Sequence, residues 1–563
     1  MKILKLINIV LFIPILLFSE TKTLSRKYVP IIIENPDEPL LGMQIRERNL
    51  PAEWSSYTWQ AFRYNAGNNS WRAVPYQIDE KGNENNYIRQ DKWDGILDER
   101  DEILFMPATL GDKAPLSAWL DNEQSRKESR IEIEFSDPVN PALKGWVYLY
   151  PMNPAIQLSP ADTMGYHAYK PGPSSIPAAD TAITTAYTVA HDADGWINYL
   201  RFHTPDAPDI LDRFKFRLAG DPAIGSWVVS EENLKAKENP VNYYYGPIRA
   251  FHDERTRLTL PFGLSTNEGD YSWHYFPYSL YIGIDNFPLA QNMIAYFNVN
   301  RMRLSIDFNN RAKGMFFYSH RNQGGVRIDG VPDSPERDLD ADSQMDWVMA
   351  TGESGTVIML LQSDIENVSK KIYYRDAESG GTSDGTDDTG DRRSIGDMGV
   401  ILRPASGGHF QTRQITFHFL VYFIDQPDMN SAFGDTLIDW VQNPLDFSAE
   451  RQLYVPSAVH QHRLQPQTFQ LHPAYPNPFS PQKNGVHLSF TSQSLHNDAK
   501  ILIFNVMGQR VARLDPVKSQ EQNSCYAVWD GRDKDGERVP AGLYLYRIVQ
   551  AGFASASGKI VLY

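Results

Sequence analysis

Polar and apolar side chains alternate one by one along much of this chain. Arg130-Ile131-Glu132-Ile133-Glu134-Phe135 does so over six residues. After the turn signal Asp137-Pro138, Trp146-Val147-Tyr148-Leu149-Tyr150 is rich in aromatic and β-branched residues. Arg301-Met302-Arg303-Leu304-Ser305-Ile306-Asp307-Phe308 alternates again, and Gln414 to Phe423 forms a long, partly alternating run. A period of two with β-branched and aromatic enrichment predicts antiparallel strands with one buried face. Helical periodicity is scarce, and Thr436 to Gln442 is the one short helix expected. The predicted fold class is therefore mainly β: tandem antiparallel β-sandwich domains, with a further β-sandwich at the C-terminus. The expected units are an N-terminal β-rich domain over 20–160, a central one over 161–450, a linker over 451–466 and a C-terminal domain over 467–563. The first break is placed in the Pro-, Ser- and Gly-rich stretch from Pro151 to Pro177.

Composition narrows the picture. The 563 residues are 42% apolar and 22% charged, ordinary values for a folded chain. Acids outnumber bases 69 to 54, which argues against a nucleic-acid binder built on a broad basic face. The single cysteine, Cys525, excludes an internal disulfide framework and a Cys-rich zinc site. At the N-terminus, Lys2 and Lys5 precede an almost wholly apolar run from Leu6 to Phe18, with small Ser19 after it. That run is shorter than the roughly 20 residues a membrane-spanning helix needs. Residues 1–19 therefore read as a cleaved secretory signal peptide, with an uncleaved anchor as the alternative. No transmembrane span is expected in the mature chain.

The C-terminal segment carries the most specific signal. Tyr475-Pro476-Asn477-Pro478-Phe479 is an extended entry, since each proline fixes its own φ and restrains its predecessor. Strand and turn signals follow over Ile503 to Val511. Trp529-Asp530-Gly531, Ala541-Gly542-Leu543-Tyr544 and Gly558-Lys559 complete a series of short strands separated by turns. This segment resembles the C-terminal sorting domain of type IX secretion cargo, and is similar to the Ig-like domain of flagellar hook-capping proteins. The resemblance implies recognition by the type IX export machinery. It also implies secretion, or display at the outer cell surface of a bacterium. It says nothing about the body of the chain.

Two acidic clusters in the body are candidate calcium ligands. Asp94 to Glu102 packs five acids into nine residues, and Gly95 sits where a calcium loop turns sharply. Asp94, Asp98 and Asp101 would be its ligands, although Lys92 falls where a further ligand is needed. Asp338, Asp340, Asp342 and Asp346 form the second cluster, downstream of Pro332 and Pro335. Solvated loops are the alternative for both, and any bound calcium is expected to be structural. A third stretch, Asp376 to Gly399, holds six Asp, six Gly and six Ser or Thr in 24 residues and reads as a long polar loop.

Catalytic templates are largely absent: there is no nucleophile-elbow serine, zinc helix, phosphate-binding loop or dinucleotide fingerprint. His460 and His462 lie in the linker without a nearby third ligand. The densest mixture of aromatic and ionisable groups is Tyr243 to Arg255. Within it Tyr244, Arg249 and His252 are groups able to bind a uronate and abstract a proton from it. Trp273, Tyr275 and Tyr278 offer planar faces for stacking on sugars. Two functions follow as expectations. One is an exported surface protein that binds a ligand, an extracellular polysaccharide first among them. The other is a secreted carbohydrate-active enzyme, a polysaccharide lyase or hydrolase.

Overall fold

The computed structural model describes residues lying within 24–40, 59–151, 180–288, 298–455 and 467–563, with short intervals omitted inside each range. The architecture is mainly antiparallel β-sheet, as the alternation predicts. In the first unit, a five-stranded sheet built around Arg130–Ser136 and Lys144–Pro151 packs on a three-stranded sheet centred on Glu102–Phe105. Ile33, Ile103, Phe105, Ile131, Ile133, Val147 and Leu149 fill the space between them.

One boundary differs from expectation. Strand Asp446–Gln452, placed by sequence at the end of the central unit, pairs antiparallel with Arg130–Ser136 and completes the first unit's sheet. The first unit is therefore assembled from two segments separated by the whole central unit. Helix Ala432–Gln442 leads into this returning strand and is longer than the predicted helix at its N-terminal end. The domain break expected between Pro151 and Pro177 lies, after Pro151 itself, outside the described residues.

The central unit pairs a nine-stranded with a five-stranded antiparallel sheet. One core runs between them, with Phe216, Leu218, Met302, Ile306, Val400, Val421 and Phe423 among its members. Towards one end of the nine-stranded sheet, the opposite face is covered by helix Ala432–Gln442 and by Tyr28, which close a second core over Trp347, Ile358 and Tyr422. The C-terminal domain is a sandwich of two four-stranded sheets around Phe479, Val486, Leu488, Ile501, Trp529 and Ile560. Its entry peptides, Tyr475-Pro476 and Asn477-Pro478, are both cis.

A single arginine ties the N-terminal segment into this assembly. The Arg26 Nε donates to Asp137 Oδ2 at 3.1 Å, and Nη2 lies 2.9 Å from the same oxygen. Its Nη1 donates to the carbonyls of Trp440 and Asn443, at the end of helix Ala432–Gln442. A cation at a helix C-terminus meets carbonyls that lack intrahelical partners. Removing one partner of a buried ion pair strands the other, which costs about 3–5 kcal/mol. Arg26→Ala should therefore lower the melting temperature markedly. A thermal melt unchanged from wild type would show that Asp137 and the helix end are satisfied without Arg26.

Candidate functional site at the junction of two β units

The first unit meets the nine-stranded sheet through a buried polar network centred on Arg249, which is 2% exposed. The turn before it is set by Gln77. The Gln77 Oε1 accepts from the Ile248 and Arg249 amides at 2.9 and 2.8 Å, and its Nε2 donates to the Arg249 carbonyl at 2.8 Å. Gly246 is required here, because a Cβ at that position would lie 2.0 Å from Gln77 Oε1. So held, Arg249 donates from Nε to Asp79 Oδ2 at 2.8 Å, and from Nη2 to Asp79 and to Glu102 Oε2, the latter at 2.6 Å. Its Nη1 donates to the Tyr87 hydroxyl at 3.0 Å. Lys81 also pairs with Glu102.

These charges set one another's protonation. Burial works against the Glu102 charge, but Arg249 and Lys81 outweigh it and hold the carboxyl down at about 2. Burial and the neighbouring Glu102 push Glu34 up to about 7. Burial raises the Tyr87 phenol well above its ordinary value.

From this network a line of rings runs out along the sheet. The Tyr87 ring lies 4.6 Å from Phe251 and 5.3 Å from His274, which in turn stacks on Phe251. His274 meets Tyr281 edge-on at 5.2 Å, and Tyr281 lies 5.3 Å from His418. His274 is buried, Tyr281 and His418 are half-buried, and Thr416 beyond them is exposed. The line thus passes from a fixed ionic interior to solvent at the seam between two units, a preferred location for ligand sites.

Two of the three ring residues singled out by sequence for stacking, Trp273 and Tyr275, face away from this line. Strand Gly269–Tyr275 alternates, so Trp273 and Tyr275 turn into the central core while His274 faces the junction. Tyr275 is 1% exposed, with its hydroxyl 2.7 Å from His191 Nε2, and Trp273 packs edge-on against His191. Tyr278 is wedged edge-on against Tyr28 in the following turn. The three do not form a planar surface platform. Of the proposed catalytic trio, Arg249 is enclosed by its partners. The side chains of Tyr244 and His252 lie outside the described ones; their backbones pair with Phe251 and with Tyr243 and Trp273 respectively. Sequence reading missed His274, Tyr281 and His418. The available signal was the alternation itself, continued from Arg249 through Phe251 into the paired strands.

The acidic loop is held by its own amides. Asp101 accepts from the Lys81 and Asp98 amides at 3.0 and 2.8 Å, and Asp94 from Ile96 at 2.8 Å. Asp98 binds Arg100, and Glu80 accepts from the Asp94 and Gly95 amides at 2.7 and 3.0 Å. Among the described residues, no three His, Cys, Asp or Glu side chains are grouped so as to hold a metal ion. Asp338, Asp340 and Asp342 lie outside the described residues, and Asp346 is exposed, 3.7 Å from His320.

Burial pushes the Glu80 and Asp101 carboxyls up to about 7, despite the amides that favour their charged forms. Groups with a raised folded pKa stabilise the fold below their unfolded pKa, and that stabilisation is lost as pH rises to about 7. Melting temperature should therefore fall between about pH 4.5 and 7. Glu80→Gln should flatten the slope by removing a contribution of about 3 kcal/mol. A slope identical in Glu80→Gln and wild type would contradict this.

Comparison with known proteins adds the following. No curated protein matches the chain. Among solved structures, an α-mannosidase from Enterococcus faecalis V583 overlays at a TM-score of 0.31 with 10% identity. The overlay takes in 90% of this chain, which spans only 57% of the mannosidase. A polysaccharide lyase overlays at 0.18 with 9% identity, covering 65% of this chain and 44% of the lyase. PorZ, a surface component of the Porphyromonas gingivalis type IX secretion system, overlays at 0.13 with 9% identity, covering 74% of this chain and 79% of PorZ. Scores this low identify no shared fold. Residues 474–560 match the CHU_C type IX secretion signal domain, within the C-terminal sandwich described above. The chain thus carries a type IX secretion signal domain at its C-terminus, which directs it to the outer cell surface or into the medium.

Proposed function

We propose that the body of this exported chain binds extracellular polysaccharide at the junction between its first unit and the nine-stranded sheet. The observation that carries this reading is the line of rings from buried Tyr87 and His274 to half-buried Tyr281 and His418. Rings with polar tips suit sugars, which present apolar C–H faces bordered by hydroxyls. A rigid ionic floor keeps the rings in place, so a ligand would not have to order them. Arg249 serves that floor and is a positioning residue, since its guanidinium is already shared among Asp79, Glu102 and Tyr87.

The contact between His274 and Tyr281 favours a second reading as a polysaccharide lyase. An imidazole and a phenol side by side are a pair able to remove and return protons. One experiment separates the two readings. The purified chain is passed over immobilised polysaccharides, and retention, reducing ends and the ultraviolet absorbance of a newly formed double bond are followed together. The expected result is retention that Tyr281→Ala and His418→Ala each weaken about tenfold, the loss expected for truncating a well-placed contact residue. Release of unsaturated fragments would establish the lyase. Retention unaffected by either substitution would exclude the junction as the site.

A further inference from the structure

The second sheet of the C-terminal sandwich runs in the order Arg510–Leu514, Lys500–Phe504, Gly542–Val549 and Ala556–Leu562. Strand alternation gives it an inner and an outer face. Ile501, Ile503, Tyr544, Tyr546 and Ile548 belong to the sandwich core, so Leu502, Leu543, Leu545 and Arg547 point outwards. Leu502 stands directly opposite Arg547, and Phe504 opposite Leu545. The two ends of this outer face differ. Leu543 and its cross-strand neighbour Val561 are 40% and 38% exposed. Leu502 is 4% exposed, although it points away from the core.

The covered end is where the body meets the sheet. Arg547 Nη2 donates to Asp446 Oδ1 at 2.5 Å, and Nη1 donates to the Phe447 carbonyl at 3.3 Å. The guanidinium carbon lies 5.3 Å from the centre of the Phe447 ring and 5.9 Å from that of Phe504. A second contact, from Arg510 Nη2 to Glu99 Oε2 at 3.3 Å, joins the same sheet to the acidic loop of the first unit.

Asp446 and Phe447 open the strand that completes the first unit's sheet. It is an edge strand, paired on one side only among the described residues. Edge strands leave a row of backbone groups open to pairing with other chains, and elements held by few contacts are the first to open. At its far end this strand is pinned by Arg130, whose Nε donates to Gln452 Oε1 at 3.0 Å. At its near end the pin is Arg547. Asp446 to Ala449, beside the sandwich, are half-buried, whereas Glu450 and Arg451 are exposed. An ion pair in reach of water contributes little by its charge alone. Here one planar donor is shared between a carboxylate and a backbone carbonyl and lies against two rings, which fixes direction as well as distance.

We propose that the secretion signal domain has a second role, as a clamp on the body. The outer face carrying Leu502 and Arg547 is its interaction surface, and the partner it fits is strand Asp446–Gln452 of the same chain. The domain that directs the chain outwards thus also holds the last strand of the body in its sheet. This role is independent of the polysaccharide reading above.

The test is hydrogen exchange, followed segment by segment on the full-length chain. Arg547→Glu is expected to speed exchange of the amides of 446–452 by about tenfold, the effect of removing a coupled contact. The amides of Lys500–Phe504, inside the sandwich's own ladder, should keep their wild-type protection. Leu502→Ser, which removes the apolar part of the contact, should act in the same direction. The reversed pair, Asp446→Arg with Arg547→Glu, should recover most of the protection, and covers the case in which Arg547→Glu alone disturbs the sandwich. Unchanged exchange over 446–452 in both single variants would overturn the clamp. So would failure of the reversed pair to recover protection there, since Arg547 would then serve its own domain alone.

Discussion

The arrangement of the body depends on one desolvated guanidinium. Arg249 enters from the central unit and meets Asp79 and Glu102 from the first, and Gln77 clamps the turn that aims it. Bringing those charges out of water is expensive, and pairing with good geometry recovers the cost without a large surplus. The gain lies in definition. A planar donor shared between two carboxylates and a phenol tolerates little sliding, so the two units are fixed in register as well as in contact. Apolar packing of Leu104 and Met106 against Ile248 and Phe276 surrounds this contact and keeps water from it.

That fixed contact explains why the rings beyond it carry the functional reading. Phe251, His274 and Tyr281 belong to three successive strands, and each ring is supported by the next. Their order comes from the sheet, and their closed end comes from Tyr87 of the other unit. Nothing in either unit alone would present the same surface.

Much of the fold could be read from the sequence because a half-buried antiparallel strand writes its two faces as alternating letters. The strands around Arg130, Trp146 and Arg301 and those of the C-terminal sandwich are of this kind. What alternation cannot disclose is which of two faces meets the larger core. In Gly269–Tyr275 one face carries Tyr271, Trp273 and Tyr275 and the other Asp270, Ser272 and His274, but the letters do not say which of the two meets the larger core. The aromatic face turned to the larger core, and the imidazole, itself buried, faces the junction. Long-range pairing was equally hidden. Arg249 could be seen as a charged residue among tyrosines, but Asp79 and Glu102 lie far from it along the chain. The return of Asp446–Gln452 to the first sheet likewise left no local trace, because an edge strand records its own faces and not its neighbour.

That returning strand fixes the order in which the body can mature. Ile133 waits for Ala449, and every residue of the central unit lies between them. Closing so long a loop is entropically costly and slow, and contacts of such separation form after local ones. During synthesis the first sheet must therefore stay incomplete, one edge open, until nearly the whole body has emerged. In a chain that is exported, the body thus becomes a finished object only once its last strand has arrived.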